Sequence, residues 1–164
     1  MKKTGFVFDE RYLLHDTGSY HPESSKRLKV IVKWLENSGM LKQLRRIEAT
    51  KADQRWIETV HNASYIMRFD EACTSGSNEF EHPDNCICRD SYNAAFLAVG
   101  GVLQAIDAVM KGEVDNAFCA VRPPGHHAEV DKPMGFCFFN NVAIGARYLQ
   151  KKYGIQKVGI IDFD

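Results

Sequence analysis

Two short apolar runs, Asn116 to Val121 and Lys157 to Phe163, bracket a helical pattern that begins at Asn140-Asn141 and ends near Gly154. A strand-length run, a helix and a second strand-length run in that order spell a β-α-β unit. Such crossovers join parallel strands, and parallel sheets carry helices on their faces. The chain is therefore predicted to be α/β, an open parallel sheet flanked by helices. Open sheets of this kind bind ligands outside the carboxyl ends of their strands. The polar residues sit where that rule wants them. Arg122-Pro123-Pro124-Gly125-His126-His127-Ala128-Glu129 follows the first run, and Asp162 and Asp164 close the second. Strand alternation puts both aspartates on one side, with Phe163 facing the other way.

Upstream, Thr4 to Phe8 reads as a short buried strand, and Asp9 to Tyr20 as a loop rich in turn formers. Leu28, Ile31, Val32 and Leu35 recur at helical spacing after Pro22-Glu23, which predicts a helix from Ser24 to Ser38 with Gly39 as its stop. Arg45 to Thr50 is a second short strand. Asp53 opens a helix whose Trp56, Ile57 and Val60 share a face, and another helix runs from Ala63 towards Ala72. Thr74 to Asp90 is polar and is predicted to be one long irregular stretch. The longest helical signal starts at Asp90-Ser91 and runs to Met110 before Gly112. Gly100-Gly101 inside it costs roughly 1 kcal/mol per glycine against alanine, which points to close packing on a neighbour.

With 164 residues, 45% of them hydrophobic, the chain can bury one core and is too short for two domains. No repeat, low-complexity run or linker divides it, so residues 1–164 are read as part or all of a single domain. Twenty-one basic residues balance twenty-one acidic ones, which removes the global basic field that attracts nucleic acid or anionic membranes. Gly5-Phe6-Val7-Phe8 is shorter than a signal-peptide core, and no segment is read as long enough for a membrane span. The five cysteines are odd in number and form no Cys-x-x-Cys pair, so the expected location is the reducing cytoplasm.

Imidazole and carboxylate ligands suit a borderline divalent cation such as zinc, and iron or cobalt fits the same ligands. A histidine beside an activated water can take its proton and return one to a leaving group. Plainer readings exist for each residue. A His-His pair in a loop is most often solvated, with roughly one chance in five of catalysis on that ground alone. An aspartate at a strand end is usually a cap or turn residue. Two of Phe136, Phe138 and Phe139 are expected in the core, Cys137 as buried packing, and Cys86 and Cys88 as ordinary loop residues. His21 and His61 are read as structural, and His15 and His82 as surface histidines.

Three stretches stand in series: Arg122 to Glu129, Gly135-Phe-Cys-Phe-Phe-Asn-Asn-Val-Ala-Ile-Gly-Ala146, and Val158-Gly-Ile-Ile-Asp-Phe-Asp164. In order and spacing they resemble the histone deacetylase superfamily, close to its class II-like and bacterial members. Fainter likenesses at His21-Pro22-Glu23 with Arg27, and at Val60 to Ile66, extend the resemblance over nearly the whole chain. It implies the arginase/deacetylase fold and zinc-dependent removal of acetyl groups from acetyl-lysine or a related acetylated amine. By that resemblance His127 is the general base and acid, and His126 its companion at the attacking water and oxyanion. Asp162 orients His126 and contributes to a potassium site, and Asp164 is the first zinc ligand. Gly135 and Phe136 line the substrate tunnel, Asp84 reaches the substrate backbone at the rim, and Arg27 lies in the acetate channel.

The departures from the pattern matter as much. The family supplies a histidine ligand, a second aspartate ligand and a carbonyl-polarising tyrosine after the position of Asp164, and none of them is among these residues. Loss of one such oxyanion donor alone costs about 10²- to 10³-fold in rate. The 164 residues are accordingly expected to be the N-terminal part of a deacetylase domain, inactive by themselves, with an exposed sheet edge. Two other functions stay open: deacetylation of acetylpolyamines or other small amides, and a non-catalytic fragment acting as an interaction module. Neither the physiological substrate nor the oligomeric state is written in the sequence.

Overall fold

A computed structural model describes residues 2–164. In chain order its elements are β1 (Thr4–Val7), a 3-10 turn (Glu10–Leu14), α1 (Lys26–Asn37), a second 3-10 turn (Met40–Gln43), β2 (Arg45–Ile47), α2 (Gln54–Ile57), α3 (Ala63–Thr74), β3 (Glu79–Phe80), β4 (His82–Cys86), α4 (Ser91–Met110), β5 (Asn116–Cys119) and α5 (Asn141–Tyr153). The main sheet is three-stranded and wholly parallel, in the order β2-β1-β5, with Gly5 opposite Arg45 and Phe6 opposite Phe118. Alternation along β1 divides its neighbours. Phe6 shares a cavity wall with Val32, Leu41 and Leu44 on the α1 side, while Val7 and Tyr12 lie against α4 at Gly101. Helices thus flank an open parallel sheet, as the periodicities predict.

The helix limits follow local chemistry. The Asp53 side chain accepts a hydrogen bond from the Arg55 N–H and caps α2, Asn140 caps α5 through the Ala143 N–H, and Gly154 in the left-handed region ends α5. At Gly100 a Cβ would collide with the carbonyl oxygen of Thr50, and at Gly101 it would meet the Tyr12 hydroxyl at 2.5 Å. That is the packing reason the sequence called for. With a mean hydropathy of 1.5, α4 is also long and apolar enough to cross a membrane by length and composition, contrary to expectation. Two-thirds of that stretch is buried within the protein, which accounts for its apolar character.

Three expectations are corrected. Lys157 to Phe163 forms no strand: the segment makes no ladder hydrogen bond, and Ile161 and Phe163 are almost fully exposed. An apolar run signals a demand for burial, but a strand also needs a ladder partner, and β5 pairs with β1 alone among the described residues. The parallel relation therefore lies between β5 and β1, and between β1 and β2. The stretch Thr74 to Asp90 is not wholly irregular, because β3 and β4 pair antiparallel within it. Phe80 is buried against Phe69 and Tyr65, and the Asn85 amide donates to the Phe80 and Pro133 carbonyls, so tertiary contacts hold a hairpin that lacks alternation. Lastly, Glu10–Leu14 is a 3-10 turn inside the expected loop, and it carries His15 inward: His15 is buried rather than at the surface.

Candidate active site

The loop Arg122 to Glu129 leaves the carboxyl end of β5, and its first residue anchors it. Arg122 is 1% exposed. Its Nε donates to both carboxylate oxygens of Glu23 at 2.9 Å, Nη1 donates to the Tyr12 and His15 carbonyls, and Nη2 approaches the Thr17 hydroxyl at 3.4 Å. A buried arginine is tolerable only when its charge is paired and its donors are used. Here one guanidinium ties the turn after β1, the His21-Pro22-Glu23 segment and the end of β5 into a single platform. The motifs contain Arg122 and Glu23 but carry no sign of this pairing, because the partners lie 99 positions apart.

From that platform His126 reaches the C-terminal segment. His126 Nδ1 donates to Asp162 Oδ2 at 2.8 Å, its Nε2 lies 3.7 Å from Asp164 Oδ2, and the Asp164 N–H donates to Asp162 Oδ1 at 3.2 Å. The Asp164 N–H, followed by the His126 imidazole, holds the Asp162 carboxyl below its ordinary value. The His127 ring lies 4.0 Å from that of His126, centroid to centroid, and is exposed. A cavity of about 490 Å³ opens here, lined by His126, Asp162, Asp164, Arg27, Asn140 and Val121 among others. Arg27 Nη2 donates to the Val121 carbonyl at 3.1 Å and lies 3.4 Å from Glu23 Oε1.

The structure therefore gathers His126, Asp162, Asp164 and Arg27 around one cavity. Gly135 and Asp84 line another, of about 390 Å³, with Glu81, Lys132 and Met134. Gly135 joins the two regions, since its φ is +52° and a Cβ there would meet the His127 ring at 2.5 Å. A glycine is needed on both counts. Phe136, also in the left-handed region, donates its N–H to Asn85 Oδ1 at 3.2 Å and meets the His21 ring edge-on at 4.6 Å. The Asp84 carboxylate is exposed beside His82, while its carbonyl accepts from His21 Nε2. Phe138 and Phe139 are the two core phenylalanines, and Cys137 is buried with its thiol pushed up to about 11 by desolvation. Asn85 and Asn140, which organise the two loops, were not singled out by sequence. Asparagines in polar stretches give no signal that separates a buried organiser from a turn.

As for a metal, Asp164 offers a carboxylate that is 85% exposed in its side chain, at the mouth of the cavity. Among the described residues no three His, Cys, Asp or Glu side chains converge as a cage. The donors present thus fit one corner of a coordination sphere and not the whole of it.

The profile of the Histone deacetylase domain family matches residues 21–164. The chain belongs to the histone deacetylase family. It is 36% identical over 99% of its length to "Histone deacetylase 5" of Arabidopsis thaliana, covering 26% of that protein, and 33% identical over 99% of its length to the "Histone deacetylase-like amidohydrolase" of Pseudomonas aeruginosa, covering 47%. "Polyamine deacetylase HDAC10" of Mus musculus is 33% identical over 93% of this chain. The crystal structure of the HDA15 HD domain superposes with a TM-score of 0.87 at 32% identity, over 92% of this chain and 44% of that one. These relationships fix the arginase/deacetylase fold. The chain spans between about a quarter and a half of the length of these four relatives.

Proposed function

We propose that residues 1–164 form the histidine-bearing half of a metal-dependent deacetylase site acting on acetyl-lysine or a related acetylated amine. The observation that carries this reading is the Asp162–His126 contact, with Asp164 next to it and the His127 ring tilted against that of His126, at the carboxyl end of β5. Asp162 fixes the Nδ1–H tautomer of His126, which leaves Nε2 turned toward the cavity as an acceptor. His127 is the group assigned to proton transfer, taking a proton from water and returning one to the departing amine. A zinc ion, or iron or cobalt in its place, would use Asp164 as one ligand and supply Lewis acidity toward the acyl carbonyl. Asp162 is also the proposed contributor to a potassium site. Gly135 and Phe136 are assigned to the substrate tunnel, Asp84 to the rim and Arg27 to acetate release. A reducing cytoplasmic setting belongs to the same proposal, supported by five unpaired cysteines.

With Asp164 the one assigned metal donor and no cluster of three among the described residues, the 164 residues by themselves are expected to release no acetate from acetyl-lysine peptides, with or without added zinc. Joined to the portion of the Pseudomonas aeruginosa amidohydrolase that follows its matched region, the same residues are expected to support turnover. A panel of acetyl-lysine peptides and acetylpolyamines then selects the substrate class. Zinc-dependent turnover by the 164 residues alone contradicts the incomplete-site reading; a folded, zinc-loaded chimera that hydrolyses no acetylated amine contradicts the hydrolase reading.

A further inference from the structure

The loop that carries His126 and His127 is held through its carbonyl groups by Asn140. Asn140 Nδ2 donates to the Ala128 carbonyl at 3.2 Å and approaches that of His126 at 3.4 Å, while Oδ1 accepts from the Ala143 N–H at 3.0 Å and caps α5. Asn140 is itself held. Its backbone N–H donates to His61 Nε2 at 2.9 Å, and His61 Nδ1 donates to the Val130 carbonyl at 3.3 Å, which also accepts the Asn62 N–H. His61 is 2% exposed and packs against the Tyr65 and Phe139 rings, each with centroids 5.5 Å away. Only the neutral Nδ1–H tautomer satisfies both contacts, because a second ring proton would face the Asn140 N–H donor to donor.

We propose that His61 is a positioning residue: through Asn140 it sets where the His126–His127 loop sits. A buried histidine between two aromatic rings is by default packing material, and Phe would serve as well there. The two directed hydrogen bonds to opposite flanks of the loop, Val130 beyond it and Asn140 beneath it, are what packing alone does not require. This inference rests on the reading of that loop as catalytic, yet its test needs no turnover, so the two fail separately.

The test is amide hydrogen exchange and ¹H–¹⁵N shifts at Ala128 and Glu129, with the ring nitrogens of His127, in the intact chain. Three variants separate positioning from packing. Asn140→Asp keeps the cap on α5 but presents acceptors to two carbonyl oxygens. His61→Phe keeps the ring and loses both hydrogen bonds. His61→Gln returns an acceptor for the Asn140 N–H. The expected result is a loss of protection of about tenfold or more at Ala128 and Glu129, with shifted His127 ring signals, in the first two variants and substantial recovery in the third. Unchanged signals at these residues in Asn140→Asp, or no difference between His61→Gln and His61→Phe, would overturn the proposal. Should His61→Phe not fold, His61→Leu, smaller and likewise without either hydrogen bond, takes its place against His61→Gln, while Asn140→Asp tests the link to the loop with its helix cap retained.

Discussion

Arg122 and Glu23 show how much of this site rests on a few buried charges, and His15 beside them has a measurable consequence. His15 Nδ1 lies 2.7 Å from the Ser91 hydroxyl, its ring meets Phe138 edge-on, and its Nε2 has no hydrogen-bond partner and sits 4.0 Å from Glu23. Burial first, then the Arg122 guanidinium and His21, together push this imidazole down to about 3. The unfolded chain takes up that proton near pH 6.5 and the folded chain does not, so His15 contributes stability above 6.5 that is lost as pH falls towards 3. Each pH unit in that window costs about 1.4 kcal/mol per such group. Urea unfolding at pH 7 and pH 5 should differ by about 2 kcal/mol from His15 alone. His61, whose value is also lowered by desolvation, adds in the same direction. His15→Phe should flatten the slope, and an unchanged slope in that variant would show that His15 is not the titrating group. In the sequence His15 looks like a surface histidine because its partner Ser91 is 76 positions away. That His126, Asp162 and Asp164 would lie together was legible because each sits in a short motif, and the structure places all three at one cavity.

Among the elements, α4 is the spine on which sheet and helices meet, and its glycines make the sharpest prediction. Gly100→Ala gains roughly 1 kcal/mol of helix propensity. The added methyl group must nevertheless enter the space of the Thr50 carbonyl, and backbone there cannot swing aside as a side chain does. Overpacking of this kind costs about 1–3 kcal/mol or more, so the variant should unfold at lower urea than the parent. Equal or greater stability would mean that α4 does not approach the Thr50 strand connection so closely. Helices proved readable to within a few residues, since period, caps and stops all lie inside each segment, as at Asp53 and Gly154. Strands were less so. Lys157 to Phe163 has the composition of a strand and no ladder partner, whereas β3 and β4 have a partner and no strand-like composition. Pairing is a property of two segments, and a pattern read along one of them does not contain it.

At the scale of the whole molecule, a parallel sheet with β1 at its centre presents one polar loop and one acidic segment to a shared cavity, and the fold and family assignment agree with what the motifs implied. The cavity is lined on this side by His126, Asp162, Asp164 and Arg27. Substrate class was not legible in the sequence, because Asp84, Gly135 and Phe136, proposed to contact substrate, lie on loops whose shape is set by distant contacts such as the Phe136 N–H to Asn85 Oδ1. The account stands most directly on His127 as the group that moves protons. Its measurement is zinc-dependent acetate release by the chimera with and without His127→Ala, at matched zinc content and matched folding. The account predicts a fall in kcat of about 10²- to 10⁴-fold with zinc still bound. Turnover within a factor of about two of the parent would contradict it, since proton transfer by a positioned side chain is worth far more than that.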